Sequence, residues 1–168
     1  MRPAPQHSSP FYHGYINCTK GDTVKELIAN HSKEIHDFYS SIPEEKANYA
    51  YAEDKWTIKQ VLQHIIDAER IFAYRALCIA RKDTTPLPAF DENTYAANDG
   101  SANRKLQSLK DEFNAVRTST DLLLNSFSDE QLDETGIASG KNITANALCF
   151  ITYGHLLHHK RIIEERYL

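Results

Sequence analysis

The chain has 168 residues, 25% of them charged and 41% hydrophobic, with a formal net charge of −4. That length suits one sizeable core, and the composition is that of a folded chain, not a disordered one. No basic stripe is visible, which argues against nucleic-acid binding, and the three cysteines, Cys18, Cys78 and Cys149, are too scattered for a disulfide framework or a zinc ribbon.

Residues 1–20 carry three prolines and scattered aromatics. They read as an extended arm without regular structure, packed on the body by Phe11, Tyr12 and Tyr15. The segment has no apolar run of the signal-peptide kind, and no apolar segment of the chain is long enough to span a bilayer. A cytoplasmic protein with no membrane partner is the expectation. Residues 21–168 then read as one helical domain. Thr23 to Glu26 is a capping box. Val24, Leu27, Ile28, His31, Ile35, Phe38 and Ile42 follow at three- and four-residue spacing, and Pro43 ends the helix. A second capping box, Thr57 with Gln60, opens a helix that carries Ile58, Val61, Leu62, Ile65, Ala68, Phe72, Ala76 and Ile79 to about Arg81. The stretch KDTTPLPAFDENTYAANDG is a loop of roughly 20 residues, long for a simple helix connection. A third helix starts near Ser101 and carries Leu106, Leu109, Phe113, Val116, Thr120, Leu123 and Phe127. SDEQL is one capped turn, ETGIASGKN a loop, and Thr144 begins a fourth helix that runs close to the end. No β-branched run alternates long enough to predict a strand. Four long amphipathic helices imply an all-α four-helix bundle.

The last helix contains GHLLHHKRIIEE. His155 and His159 are four residues apart and so share a helix face. Two imidazoles placed in this way can converge on one ion about 2 Å from each. His158 is turned by about 100° from His159 and points elsewhere. The pair needs a third ligand, and His64, at the edge of the buried face of the second helix, is the best candidate. The competing reading makes His64 a satisfied helix-edge residue and HLLHH a polar helix end. The helix dipole explains the cluster poorly, since His155 lies roughly three and a half turns before the C-terminus. Other chemistries lack their motifs. There is no His-Glu-x-x-His, no paired Glu-x-x-His, no Cys-x-x-Cys, no phosphate-binding glycine loop and no Gly-x-Ser-x-Gly elbow.

The segments WTIKQVLQHIIDAER and GHLLHHKRIIEE together resemble the DinB superfamily, including its bacillithiol-transferase-like branch. That family has a Trp-Ser/Thr helix start, a His some seven residues on and an Asp-Ala/Ser-Glu-like step, then His-x-x-His-His near the C-terminus. Trp56, Thr57, His64, Asp67, Ala68 and Glu69 match the first part, and His155, His158 and His159 the second. Phe90, Asp91, Glu92 and Tyr95 correspond to a PYDE…W segment of the transferase-like members, with Tyr95 where Trp is frequent. The resemblance, over about residues 20–168, implies an up-down-down-up bundle and a homodimer. It also implies a divalent metal, nickel or zinc, on His64, His155 and His159.

Three neutral ligands leave an ion its charge and an open position. Such an ion lowers the pKa of a bound water to about 7 or holds a thiol as thiolate. The expected function is transfer of a low-molecular-weight thiol, as co-substrate, to a small electrophile in detoxification or stress response. The alternatives are a metal-dependent hydrolase and a non-enzymatic dimeric ligand-binding bundle. Asp67, three residues after His64, is a candidate for orienting His64 or a bound water, against the plainer reading of an exposed helix carboxylate. Asp91 and Glu92 sit where substrate contacts arise. Tyr74 and Arg75 could line a pocket, Arg75 equally well as an ion-pair partner. Cys78 and Cys149 read as small core residues.

Overall fold

A computed structural model describes all residues, 1–168. The four long helices are α2 (Val24–Ser41), α3 (Ile58–Ala80), α5 (Leu106–Asn125) and α7 (Ala145–Arg166). Short helices α1 (His13–Asn17), α4 (Glu92–Ala97) and α6 (Asp129–Asp133) lie between them. The expected caps form. Thr23 and Glu26, Thr57 and Gln60, and Ser128 and Gln131 each exchange side-chain and backbone hydrogen bonds, so orphan N–H groups at three helix starts are satisfied. Thr144 caps α7 by accepting from the Ala147 N–H at 3.0 Å.

The four helices form a ring in which α2 packs on α5 and α7, and α3 also packs on α5 and α7. Consecutive helices α2 and α3 therefore face each other across the diagonal. Side-chain pairs give the directions. His36 meets Asn114 and Lys110 reaches the Ile42 carbonyl, so α2 and α5 are antiparallel. Arg104 bonds Gln63 and Arg70 bonds Glu112, so α3 and α5 run together. His64 meets His155 while Trp56 lies at Tyr167, so α3 and α7 oppose. The order is up-down-down-up. The core runs between the helices through Leu27, Ile35, Leu62, Ile66, Phe113, Phe150 and Leu156, all fully buried. The first half of α7, Ala145 to Leu156, is buried all round, because α1, α2, α3 and α6 each cover part of it.

The long stretch read as a loop holds α4, and the third long helix begins at Leu106, not near Ser101, where a 3-10 turn precedes it. Two larger expectations need correction. The stretch ETGIASGKN, read as a loop, forms most of a β-hairpin, β1 (Thr135–Ala138) and β2 (Lys141–Thr144), antiparallel with Ala138 opposite Lys141. Each strand has only four residues, too few for alternation to show in the sequence. The turn places Ser139 and Gly140 at φ of 52° and 72°, the left-handed pair that a two-residue hairpin loop requires. Leu87 pins the α3–α4 loop to this hairpin: its N–H donates to the Ile137 carbonyl at 2.8 Å, and its own carbonyl accepts from the Ser139 N–H at 3.0 Å.

The second correction concerns the first 20 residues, which are not structureless. Two 3-10 turns, Pro5–His7 and Pro10–Tyr12, precede α1. Arg2 ties the arm down by donating to the carbonyls of Gly21, Ile16 and Thr19, and its guanidinium lies 5.4 Å from the Phe150 ring centroid. Helix α1 docks on α7 at Gly154, where a Cβ would collide with the Tyr15 carbonyl. Replacing Gly154 by Ala must push α1 off its seat. The expected cost is about 1–3 kcal/mol, typical of overpacking, read as a lower urea midpoint with an unchanged slope.

Candidate metal centre

Helices α3 and α7 bring three imidazoles together. His64 Nε2 and His159 Nε2 each lie 3.1 Å from His155 Nε2. One ligand nitrogen from each of the three lies within 4.8 Å of the others. Around a tetrahedral ion with bonds of about 2.1 Å, ligand nitrogens sit roughly 3.4 Å apart. The two short separations match that spacing, and the donor set fits a divalent transition ion. Hydrogen bonding accounts for the cluster less well. A neutral imidazole carries one N–H, so His155 Nε2 can share a proton with one neighbour in a good geometry, not with both.

The surroundings keep the rings neutral. Burial lowers the His64 pKa to about 4. Burial also holds His155 and His159 well below the usual histidine range, and neighbouring imidazoles push the same way. Neutral rings offer lone pairs, which a metal requires. His155 is buried between the rings of Tyr15 and Phe72, with centroids 5.5 and 5.6 Å away. The Trp56 ring stands 4.9 Å from His64 and fixes its outer side. The Nδ1 of His159 is buried and has no hydrogen-bond partner.

The imidazoles floor a cavity of about 390 Å³. Its walls include Tyr12 and Tyr15 from the arm, Trp56, Phe90 and Glu92 from loops and α4, Ser139 from the hairpin and Arg75 from α3. Burial raises the Tyr15 pKa, so its phenol stays protonated. His158 also lines the cavity, its ring edge-on to Tyr15 with centroids 5.2 Å apart, and lies outside the group of three.

The remaining candidates separate. Asp67 does not reach His64. It accepts from Gln63 Nε2 at 2.9 Å and is turned to the side where Arg70 of α3 and Glu112 of α5 act on it. Three residues on a helix leave a 60° offset, enough here to carry Asp67 off the cavity. Burial raises its pKa, with Gln63 and Arg70 opposing. Asp91 caps α4, accepting from the Thr94 N–H at 2.6 Å, while Glu92 lines the cavity. Tyr74 is exposed in a separate hollow with Leu87 and Tyr95. Arg75 is buried and lines the cavity without any ion pair. Cys78 and Cys149 are buried and free, and burial pushes Cys149 up to about 12. Ser139 and the arm's place in the cavity wall went unseen in the sequence. The only signal was the density of aromatics in residues 11–15.

YfiT from Bacillus subtilis, described as a probable metal-dependent hydrolase with an unusual four-helix bundle topology, superposes with a TM-score of 0.71 at 16% identity. The match covers 98% of this chain and 90% of that one. A mycothiol-dependent maleylpyruvate isomerase superposes with a TM-score of 0.67 at 11% identity, over 95% of this chain and 62% of its own. At these identities the likeness is one of fold. A candidate metal-dependent hydrolase of Oceanobacillus iheyensis is 30% identical over 70 residues, 41% of this chain and 40% of that protein. No helix is long and apolar enough to cross a membrane. The DinB superfamily model matches residues 28–163, a span that holds all three converging histidines and all four long helices but for the ends of the first and last. The chain belongs to the DinB superfamily.

Proposed function

We propose that His64, His155 and His159 bind one divalent transition metal, nickel or zinc, and that the cavity above them transfers a low-molecular-weight thiol to a small electrophile. The observation that carries this reading is the meeting of three neutral imidazole nitrogens at the floor of an open cavity. When bound, the ion would supply Lewis acidity and lower the pKa of a thiol or water at its open position. The chain supplies the rest. Burial keeps the imidazoles unprotonated at neutral pH. Trp56, Phe90 and Tyr12 give apolar walls for the electrophile. The protonated Tyr15 hydroxyl is a donor on the same wall. In the transfer a carbon–sulfur bond forms, the thiol proton passes to solvent and the leaving group departs with its electron pair.

Hydrolysis is the second reading, favoured by the hydrolase descriptions of the Oceanobacillus relative and of YfiT. One assay separates them. Protein loaded with nickel or zinc is given L-cysteine with 1-chloro-2,4-dinitrobenzene, and p-nitrophenyl acetate alone. The expected result is thioether formation that is lost on stripping the metal. Ester hydrolysis without thioether would replace the transfer reading by the hydrolase. Neither activity from fully loaded protein would remove both in favour of a binding module.

A further inference from the structure

The cavity has a second chemical pole. Arg75 is 2% exposed, yet no carboxylate lies within ion-pairing distance of it. The other buried arginine, Arg117, is 0% exposed and pairs with both Glu69 and Asp121. A buried guanidinium is costly unless it is compensated. Arg75 Nη2 donates to the Pro88 carbonyl at 2.5 Å and to Ser139 Oγ at 3.2 Å. Its Nε and Nη1 have no acceptor in the protein, and neither is sealed from solvent. Buried Lys59 and Lys110 also lack carboxylates, but they donate to backbone carbonyls and lie outside this cavity.

Helix geometry aligns this pole with the imidazoles. Arg75 is eleven residues after His64, a rotation of about 20° in net terms and a rise of about 16 Å. The two therefore occupy one face of α3, and helical side chains lean toward the N-terminus, here toward His64. Both line the one cavity, with the Phe90 ring 5.9 Å from the guanidinium.

We infer that Arg75 is a binding subsite for a carboxylate, so that the cavity takes a bifunctional ligand with an anionic head at Arg75 and a reacting group at the three imidazoles. This rests on the reading of the cavity as the active site and adds the class of its ligand. Arginine's planar, always charged fork suits a carboxylate and keeps its preference at any working pH. Glu92, exposed on the same cavity and unpaired with Arg75, opposes an anion and limits how tightly one is held.

The test uses 6-mercaptohexanoate and 6-mercaptohexanol, which differ only in the head. Two readouts are taken. Cobalt-loaded protein reports thiolate coordination by its sulfur-to-cobalt absorption. Metal-stripped protein reports occupancy by the fluorescence of Trp56, the single tryptophan, which lines the cavity. The carboxylate is expected to bind about 10-fold more tightly than the alcohol in both forms, as a charged hydrogen bond implies. Arg75→Met should abolish that preference and leave the alcohol's affinity unchanged. Arg75→Lys, which keeps a charge, should retain a reduced preference and is read if the Met variant does not fold. Glu92→Gln should enlarge the preference. Equal affinities for the two heads, or a preference that survives Arg75→Met, would overturn the subsite. A carboxylate preference in Trp56 fluorescence without any cobalt–thiolate absorption would uphold the subsite and overturn the metal reading.

Discussion

Purified native protein should carry, or take up, about one equivalent of nickel or zinc per chain, and His64→Ala and His159→Ala should each lose it. Altering only the partners that orient metal ligands costs about 10–100-fold in affinity. Removing one of three imidazoles should therefore cost more than about 100-fold, with elemental analysis after desalting as the measure. These two positions are the informative ones because both rings are less buried than His155 and face the cavity, so truncation is expected to disturb the core less. His155 is 5% exposed between aromatic rings, and its loss would open a void as well as remove a ligand. His158→Ala is the control. Its ring lines the same cavity outside the converging group, and metal content should not change. A native protein that takes up no metal, or variants that keep it, would move the function to a binding module.

The largest effect on stability is expected at Arg117. Its guanidinium pairs with Glu69 at 2.9 Å and Asp121 at 2.5 Å and covers the Tyr153 ring, 4.5 Å from the centroid. Tyr153 donates to Asp121 in turn, and Ser32 bonds the other Asp121 oxygen at 2.6 Å. The cluster joins α2, α3, α5 and α7. Arg117→Met strands the Glu69 carboxylate in the core and should cost about 3–5 kcal/mol in urea unfolding at neutral pH. Burial already raises the Glu69 pKa, against the pull of Arg117, and the variant raises it further. A carboxyl whose folded pKa exceeds its unfolded value of about 4.3 is penalised above that value and not below it. The deficit of the variant should therefore shrink as pH falls toward about 4. A deficit independent of pH would mean that lost packing, and not a stranded charge, dominates.

Much of this molecule can be read from residues before any coordinates. The caps at Thr23, Thr57, Ser128 and Thr144 mark helix starts because their side chains answer a local backbone need. The four apolar stripes follow from helical period, and the His155–His159 spacing follows from the same geometry. What escaped was set by tertiary contact. The hairpin owes its place to a Leu87 bridge from a distant loop. The arm's turns are held by Arg2 reaching three carbonyls fourteen to nineteen residues away. Asp67 looked close to His64 along the chain, but a 60° offset on α3 turned it to another partner. Arg75 carried no motif, and its unpaired state exists only once every other charge has a position.

The ring order of the helices also bears on how the molecule folds. No two successive long helices form an antiparallel neighbouring pair, because α2–α3 and α5–α7 lie on diagonals and α3–α5 run side by side in the same sense. A local antiparallel helix-hairpin nucleus is therefore denied to the growing chain. Each productive docking closes a long segment, and the entropy of that closure slows folding relative to an up-down-up-down bundle. His64 waits for partners 91 residues further along. The three-imidazole floor is thus complete only once α7 has docked on α3, so the full ligand set exists in the folded chain and not in any short segment of it.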